Sequence, residues 1–189
     1  EQGEKLTDKQ KAFHNKTKKR DLALITLLLG TGIRVSECVG LNISDIDFKN
    51  GGIRIYRKGG KEVTVYFGTE VEEALLDYLE ERDRILPEEG SEDALFLSLQ
   101  RKRMAVRSVE NLVKKYAQIV TPLKPITPHK LRSTYGTNLY RETGDIYLVA
   151  DVLGHSDVNT TKRHYAALED ERRRSARNKV RLREKPGRE

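Results

Sequence analysis

Apolar residues along the chain recur mainly at the three- and four-residue spacing of helices, with one episode of alternation. RDLALITLLLG, Arg20 to Gly30, is apolar almost all round. That pattern predicts a helix buried at the centre of its domain, with Gly30 at its C-terminal cap. A short helix is expected next, from Ser36 to Gly40. GGIRIYRKGGKEVTVYF, Gly51 to Phe67, alternates branched and aromatic residues on both sides of Gly59-Gly60. It predicts a β-hairpin with Lys58 and Lys61 flanking the tip. Val71, Leu75, Tyr78, Leu79 and Arg82 then share one side of a helix that Thr69 can cap and that ends at Pro87. PEEGSED after it is a surface loop.

Ala105 to Val120 places Val106, Val109, Leu112, Val113 and Tyr116 on one helical face. In TPHKLRSTYGTNLYRETG, Thr127 can cap a helix, Pro128 can open it and Gly144 can close it. DIYLVADVLGH repeats the design, with Asp145 as cap and Gly154 as stop, so that His155 projects from a turn. SDVNTTKRHYAAL starts a last short helix at Ser156 or Asp157. The fold class expected is mainly α with a small antiparallel β-sheet (α+β). No repeat or low-complexity linker divides the chain, so one domain over residues 1–170 and a basic tail over 171–189 are expected.

Charge narrows the partners. The 189 residues carry a formal net charge of +7, and 34% are charged. An excess of Lys and Arg favours polyanions through counterion release. The basic stretches KQKAFHNKTKKRD and ERRRSARNKVRLREK are each either a solvated helix face or a loose arm. No apolar run approaches the length of a membrane span and no charged-then-apolar leader opens the sequence, so a cytoplasmic protein without a membrane partner is expected. Cys38 is the one cysteine. It excludes an internal disulfide and a multi-cysteine zinc site, and its apolar neighbours point to a buried structural thiol.

The candidate chemistry starts in LGTGIRVSECVGL. A guanidinium just past a hydrophobic segment needs an anion, which for Arg34 is either Glu37 or a ligand. His129 and Arg132 lie three apart on one helix face, His155 sits in a glycine turn, and His164 and Tyr165 follow. No Cys or carboxylate near the histidines completes a metal-ligand set of familiar spacing, so neither metal nor cofactor is expected.

In order and approximate spacing, TGIRVSE, the Lys58 hairpin, HKLR, LGHSD and HY resemble the catalytic motifs of the tyrosine recombinase (phage-type integrase) family, from about Asp21 to Ala166. The resemblance implies DNA strand cleavage and rejoining through a 3′-phosphotyrosyl intermediate without metal. Arg34 and Arg132 would pair with nonbridging phosphate oxygens, a task suited to a permanently charged planar fork. Lys58 would be the general acid for the departing 5′-oxygen, with Lys61 its competitor. His129 and His155 would bond the phosphate and manage the nucleophile's proton. Tyr165 would be the nucleophile, and Glu37 would orient Arg34. Ser133 follows Arg132 where members often carry histidine, a departure that removes no catalytic group.

The wording of HKLRSTYGTNLYRETGDIYLVADVLGHSDVNTTKRHYA resembles integrases of conjugative transposons and other integrative mobile elements somewhat more than chromosome-dimer-resolving Xer proteins. Type IB topoisomerase chemistry and a catalytically silent DNA-binding module of the same fold are the alternatives. The implied partners are double-stranded DNA at attachment or inverted-repeat sites, three further copies in a synaptic tetramer, and accessory DNA-bending proteins. Members usually carry a core-binding domain, and often an arm-binding domain, ahead of this region. Neither fits before Asp21, so the chain reads as an isolated catalytic domain. The segment from Ala166 to Leu182 is expected either to dock on a neighbouring copy or to contact DNA.

Overall fold

The computed structural model describes residues 7–176 and Lys179. Eight α-helices are described: α1 (Asp8–Thr31), α2 (Val35–Gly40), α3 (Thr69–Arg82), α4 (Val106–Val120), α5 (Pro128–Thr143), α6 (Ile146–Leu153), α7 (Val158–His164) and α8 (Ala166–Ala176). Three short strands, β1 (Ile46–Asp47), β2 (Gly52–Tyr56) and β3 (Glu62–Tyr66), form one antiparallel sheet in chain order. The chain divides into two compact units, one up to Tyr135 and one from Gly136 on, and the division falls inside α5.

The first unit is built on α1, whose Ala23, Leu24, Leu27 and Leu28 are fully buried. Each such leucine contributes about 1.5–3 kcal/mol relative to exposure. Ile53, Ile55 and Val65 from the sheet, Val71, Leu75 and Tyr78 from α3, and Val109 and Val113 from α4 belong to the same core. The hairpin pairs Ile53 with Val65, Arg54 with Thr64 and Tyr56 with Glu62. Its alternation therefore sends isoleucine and valine inward and leaves Arg54 and Tyr56 in solvent. Cys38 is fully buried, as expected of a structural thiol, and burial pushes its pKa from an ordinary 9.0 up to about 12.

Three boundaries differ from the sequence expectation. α1 runs through Gly30 to Thr31, and the left-handed turn after it is made by Gly32, at φ +66°. A Cβ on Gly30 would lie 2.5 Å from Val71 Cγ2, so this glycine admits α3 rather than capping α1. Gly68 precedes α3 as its cap residue, with Thr69 already helical, and the helix stops at Arg82 instead of Pro87. Buried Arg82 donates from Nε to the Ala94 carbonyl at 3.0 Å and from Nη2 to that of Glu92 at 2.7 Å, bonds that hold the following loop against the helix end. The basic stretch near the start lies within α1, with Lys11, Lys16 and Lys18 exposed as a solvated helix face.

In the second unit, Asp145 caps α6, its Oδ1 accepting from the N–H groups of Tyr147 (2.9 Å) and Leu148 (3.0 Å). Gly154 closes the helix in the left-handed conformation. Ile146, Val149, Ala150, Leu153, Tyr140 and Tyr165 are this unit's buried apolar residues. Asp157 caps α7, accepting from Asn159 N–H at 2.8 Å. α8 has no buried residue. Its Arg172 donates to the carbonyls of Tyr140 (3.4 Å) and Arg141 (3.3 Å), where a cation meets the negative end of α5. Most of the tail expected over 171–189 lies outside the described residues.

Candidate active site

The turn between α1 and α2 collects the first group of predicted side chains. Gly32 makes the bend possible in two ways: its φ is positive, and a Cβ there would lie 2.4 Å from the Tyr135 ring. The same Gly32 offers its carbonyl to Nη1 of Arg132, a side chain buried on α5. Two residues on, Arg34 opens α2. Glu37, three positions into that helix, accepts the Arg34 backbone N–H at 2.8 Å through Oε2. Its Oε1 accepts from Arg34 Nη1 at 3.1 Å. Glu37 is therefore one anion that meets Arg34, yet the Arg34 side chain keeps 42% of its surface while the Glu37 side chain keeps 4%. Both candidate phosphate-binding arginines are thus fixed to one short turn, and the exposed face of Arg34 remains available to an anion.

Glu37 has a second cationic neighbour that the sequence reading missed. Arg57 Nε lies 3.6 Å from Glu37 Oε1, and its side chain is only 9% exposed. Two guanidiniums around one buried carboxylate leave a local excess of positive charge. Arg57 was legible only as a polar residue in a strand. Its main chain ends the hairpin: its N–H donates to Lys61 C=O at 2.9 Å, and its C=O accepts Gly60 N–H at 3.0 Å. Lys58, Gly59 and Gly60 form the tip, with Lys58 exposed and both glycines at positive φ. The predicted lysine thus follows directly on an anchored arginine. Lys61 is exposed too.

His129 is exposed on the first turn of α5, after Thr127, whose Oγ1 accepts Lys130 N–H at 3.2 Å, and Pro128. It lines a groove of about 740 Å³ with Arg107, Lys114, Lys124 and apolar Leu123 and Ile126. Three residues later on the same helix comes Arg132.

Within the second unit, His155 and Tyr165 are joined through Thr161, another residue sequence reasoning missed. Fully buried Thr161 places its Oγ1 2.6 Å from His155 Nδ1, and its carbonyl accepts Tyr165 N–H at 3.1 Å. Such a partner fixes the imidazole's orientation. Thr161 stands one helical turn before Tyr165, and that spacing is the only trace of it in the sequence.

Tyr165 itself is 3% exposed. Its ring lies 5.8 Å from that of Tyr140 and edge-on to His164 at 4.7 Å. A Cβ on Gly136 would stand 2.2 Å from the Tyr165 hydroxyl and 2.9 Å from Leu153 Cδ1. The hydroxyl therefore packs against the bare backbone of α5. His164, at the end of α7, is exposed and serves as a packing partner for the tyrosine. Among the described residues no group of three or more His, Cys, Asp or Glu could hold a metal ion, and no helix is long and apolar enough to cross a membrane.

Comparison with known proteins gives a consistent result. Tyrosine recombinase XerS of Streptococcus agalactiae serotype III (strain NEM316) is 40% identical over 172 residues, which are 89% of this chain and 48% of XerS. The chain thus spans about half the length of the curated relatives it matches. The crystal structure of XerA recombinase superposes with a TM-score of 0.73 at 28% identity, over 93% of this chain and 66% of that one. The Tn1549 transposon integrase in complex with transposon right end DNA gives 0.65 at 25% identity, over 93% and 66%. The phage integrase family model matches residues 1–172. With these motifs on this mostly helical framework, the chain belongs to the phage integrase family, the tyrosine recombinases.

Proposed function

We propose that residues 1–170 are the catalytic domain of a site-specific DNA recombinase, that 171–189 are its tail, and that Tyr165 is the nucleophile. The phenolic oxygen attacks a DNA phosphorus, the P–O5′ bond breaks, and a 3′-phosphotyrosine and a 5′-hydroxyl result. Arg34 and Arg132 hold the nonbridging oxygens as charge builds on the pentacoordinate phosphorus. Lys58 gives its proton to the departing O5′, and His129 and His155 bond the phosphate and accept the tyrosine's proton. A second strand's 5′-hydroxyl reverses the step. The observation that carries this reading is Arg34: a guanidinium held from behind by buried Glu37, with its other face open.

The biological setting we propose is integration and excision of a mobile element, with four copies and accessory DNA-bending proteins acting on paired attachment sites. The likeness to the Tn1549 integrase supports it. A second reading, Xer-type resolution of chromosome dimers, has the higher identity to XerS on its side.

Covalent capture tests the reaction. A pool of nicked duplexes with randomised arms is incubated with this chain, and SDS-stable adducts are isolated and sequenced. Wild type is expected to yield a 3′-linked adduct, and Tyr165→Phe none. Adducts of equal yield with the phenylalanine variant would refute the assignment of the nucleophile. Captured sequences matching the ends of an element favour integration; a single chromosomal site favours the Xer reading.

A further inference from the structure

Arg57 has no place in the reaction just described, yet it is the most constrained residue of the hairpin end. Both its main-chain polar groups close the loop, and its side chain is buried beside Glu37. The three residues that follow contain the two left-handed glycines and are exposed, so nothing else described in the tip holds Lys58 in place. Glu37 meanwhile binds the main chain and the guanidinium of Arg34.

From this we infer that Arg57 is a positioning residue that sets the hairpin lysine against the phosphate-binding arginine through their shared carboxylate. The inference rests on the proposed roles of Lys58 and Arg34. Physically, the Glu37 carboxylate is a common fixed point. Arg34 is tied to it by two hydrogen bonds and Arg57 by an ion pair at low exposure, where solvent screening is weak. Lys58 begins one peptide bond beyond Arg57. A flexible ammonium delivers a proton efficiently only when its stem starts from a defined place, because a small misplacement of the donor costs rate steeply. The step assisted is proton transfer from Lys58 Nζ to O5′ as the P–O5′ bond breaks and the bond from Tyr165 oxygen to phosphorus forms.

The test separates proton delivery from phosphate binding. Captured duplexes are prepared with either the natural 5′-bridging oxygen or a bridging sulfur at the scissile position; a thiolate leaves without needing a proton, since a thiol is far more acidic than an alcohol. Single-turnover adduct formation is then followed for wild type, Arg57→Ala, Arg57→Lys, Lys58→Ala and Tyr165→Phe, with thermal melting of each as a check of folding. On the oxygen substrate, Arg57→Ala is expected to slow the reaction by roughly 10- to 100-fold, at or below the usual size of a general-acid effect. On the sulfur substrate it is expected to run within about 3-fold of wild type, as Lys58→Ala does. Arg57→Lys, which keeps a cation near Glu37, recovers part of the oxygen rate. Equal losses on both substrates, or no loss on either, would overturn the inference while leaving Tyr165 in its role. Failure of wild type and Tyr165→Phe alike to form any adduct would instead remove the enzymatic reading, and this inference with it.

Discussion

Gly136 is the residue at which packing bears most directly on the proposed chemistry. Its missing side chain is the space occupied by the Tyr165 hydroxyl. Gly136→Ala would put a methyl group 2.2 Å from that oxygen, so either the tyrosine ring or α7 must shift. Overpacking of this kind costs about 1–3 kcal/mol, and urea denaturation should show a loss of that size. The same variant should make Tyr165 accessible to tetranitromethane, read by mass spectrometry of the peptide carrying it; unchanged nitration would show that the ring stays in place. The proposed site residues were singled out by the order and spacing of motifs that resemble the family's, Tyr165 by its place after LGHSDVNTTKRH. Their partners were not. Arg57 and Thr161 act across gaps of twenty and six positions, toward Glu37 and His155, and nothing local in the chain announces a pairing that only folding creates.

At the scale of elements, helix ends were read best where a side-chain cap decides them. Asp145 accepts two backbone N–H groups of α6, and replacing it with alanine leaves both without that acceptor. Asp145→Ala is expected to cost about 1 kcal/mol in denaturant unfolding, with Asp145→Asn close to wild type. The Asp157 and Thr127 boundaries were legible for the same reason, and that at Gly154 because glycine readily takes the left-handed conformation that ends α6. The end of α1 was not, because Gly30 and Gly32 are chemically identical and the choice between them is made elsewhere. Val71 occupies the space beside Gly30, and Tyr135 that beside Gly32. β1 escaped notice because two residues carry no periodicity; pairing of Ile46 with Ile53 and Asp47 with Gly52 is all that defines it. The hairpin, by contrast, announced itself through alternation and two adjacent glycines.

For the whole molecule, two protonation equilibria point the same way. Burial, then the neighbouring Asp21 carboxylate, pushes the Tyr116 hydroxyl from an ordinary 10.0 up to about 12, and burial does the same to the Cys38 thiol. In both groups the folded state favours the protonated form. Their contribution to stability is therefore complete below the unfolded values near 9 and 10, and is lost as pH rises toward 12. Urea midpoints should hold steady up to about pH 8.5 and fall between roughly pH 9 and 11, with Tyr116→Phe removing part of the slope. A flat profile in wild type would contradict the burial of both groups. The inertness of Cys38 also gives the protein an experimental property of its own. As the one cysteine in the sequence, fully buried, it leaves the native surface chemically silent toward thiol reagents at neutral pH. A cysteine placed by Lys58→Cys would be the single reactive sulfur, and bromoethylamine would convert it to a thioether analogue of lysine. Adduct formation lost in Lys58→Cys and regained on aminoethylation would let the hairpin ammonium be removed and restored atom by atom in folded protein.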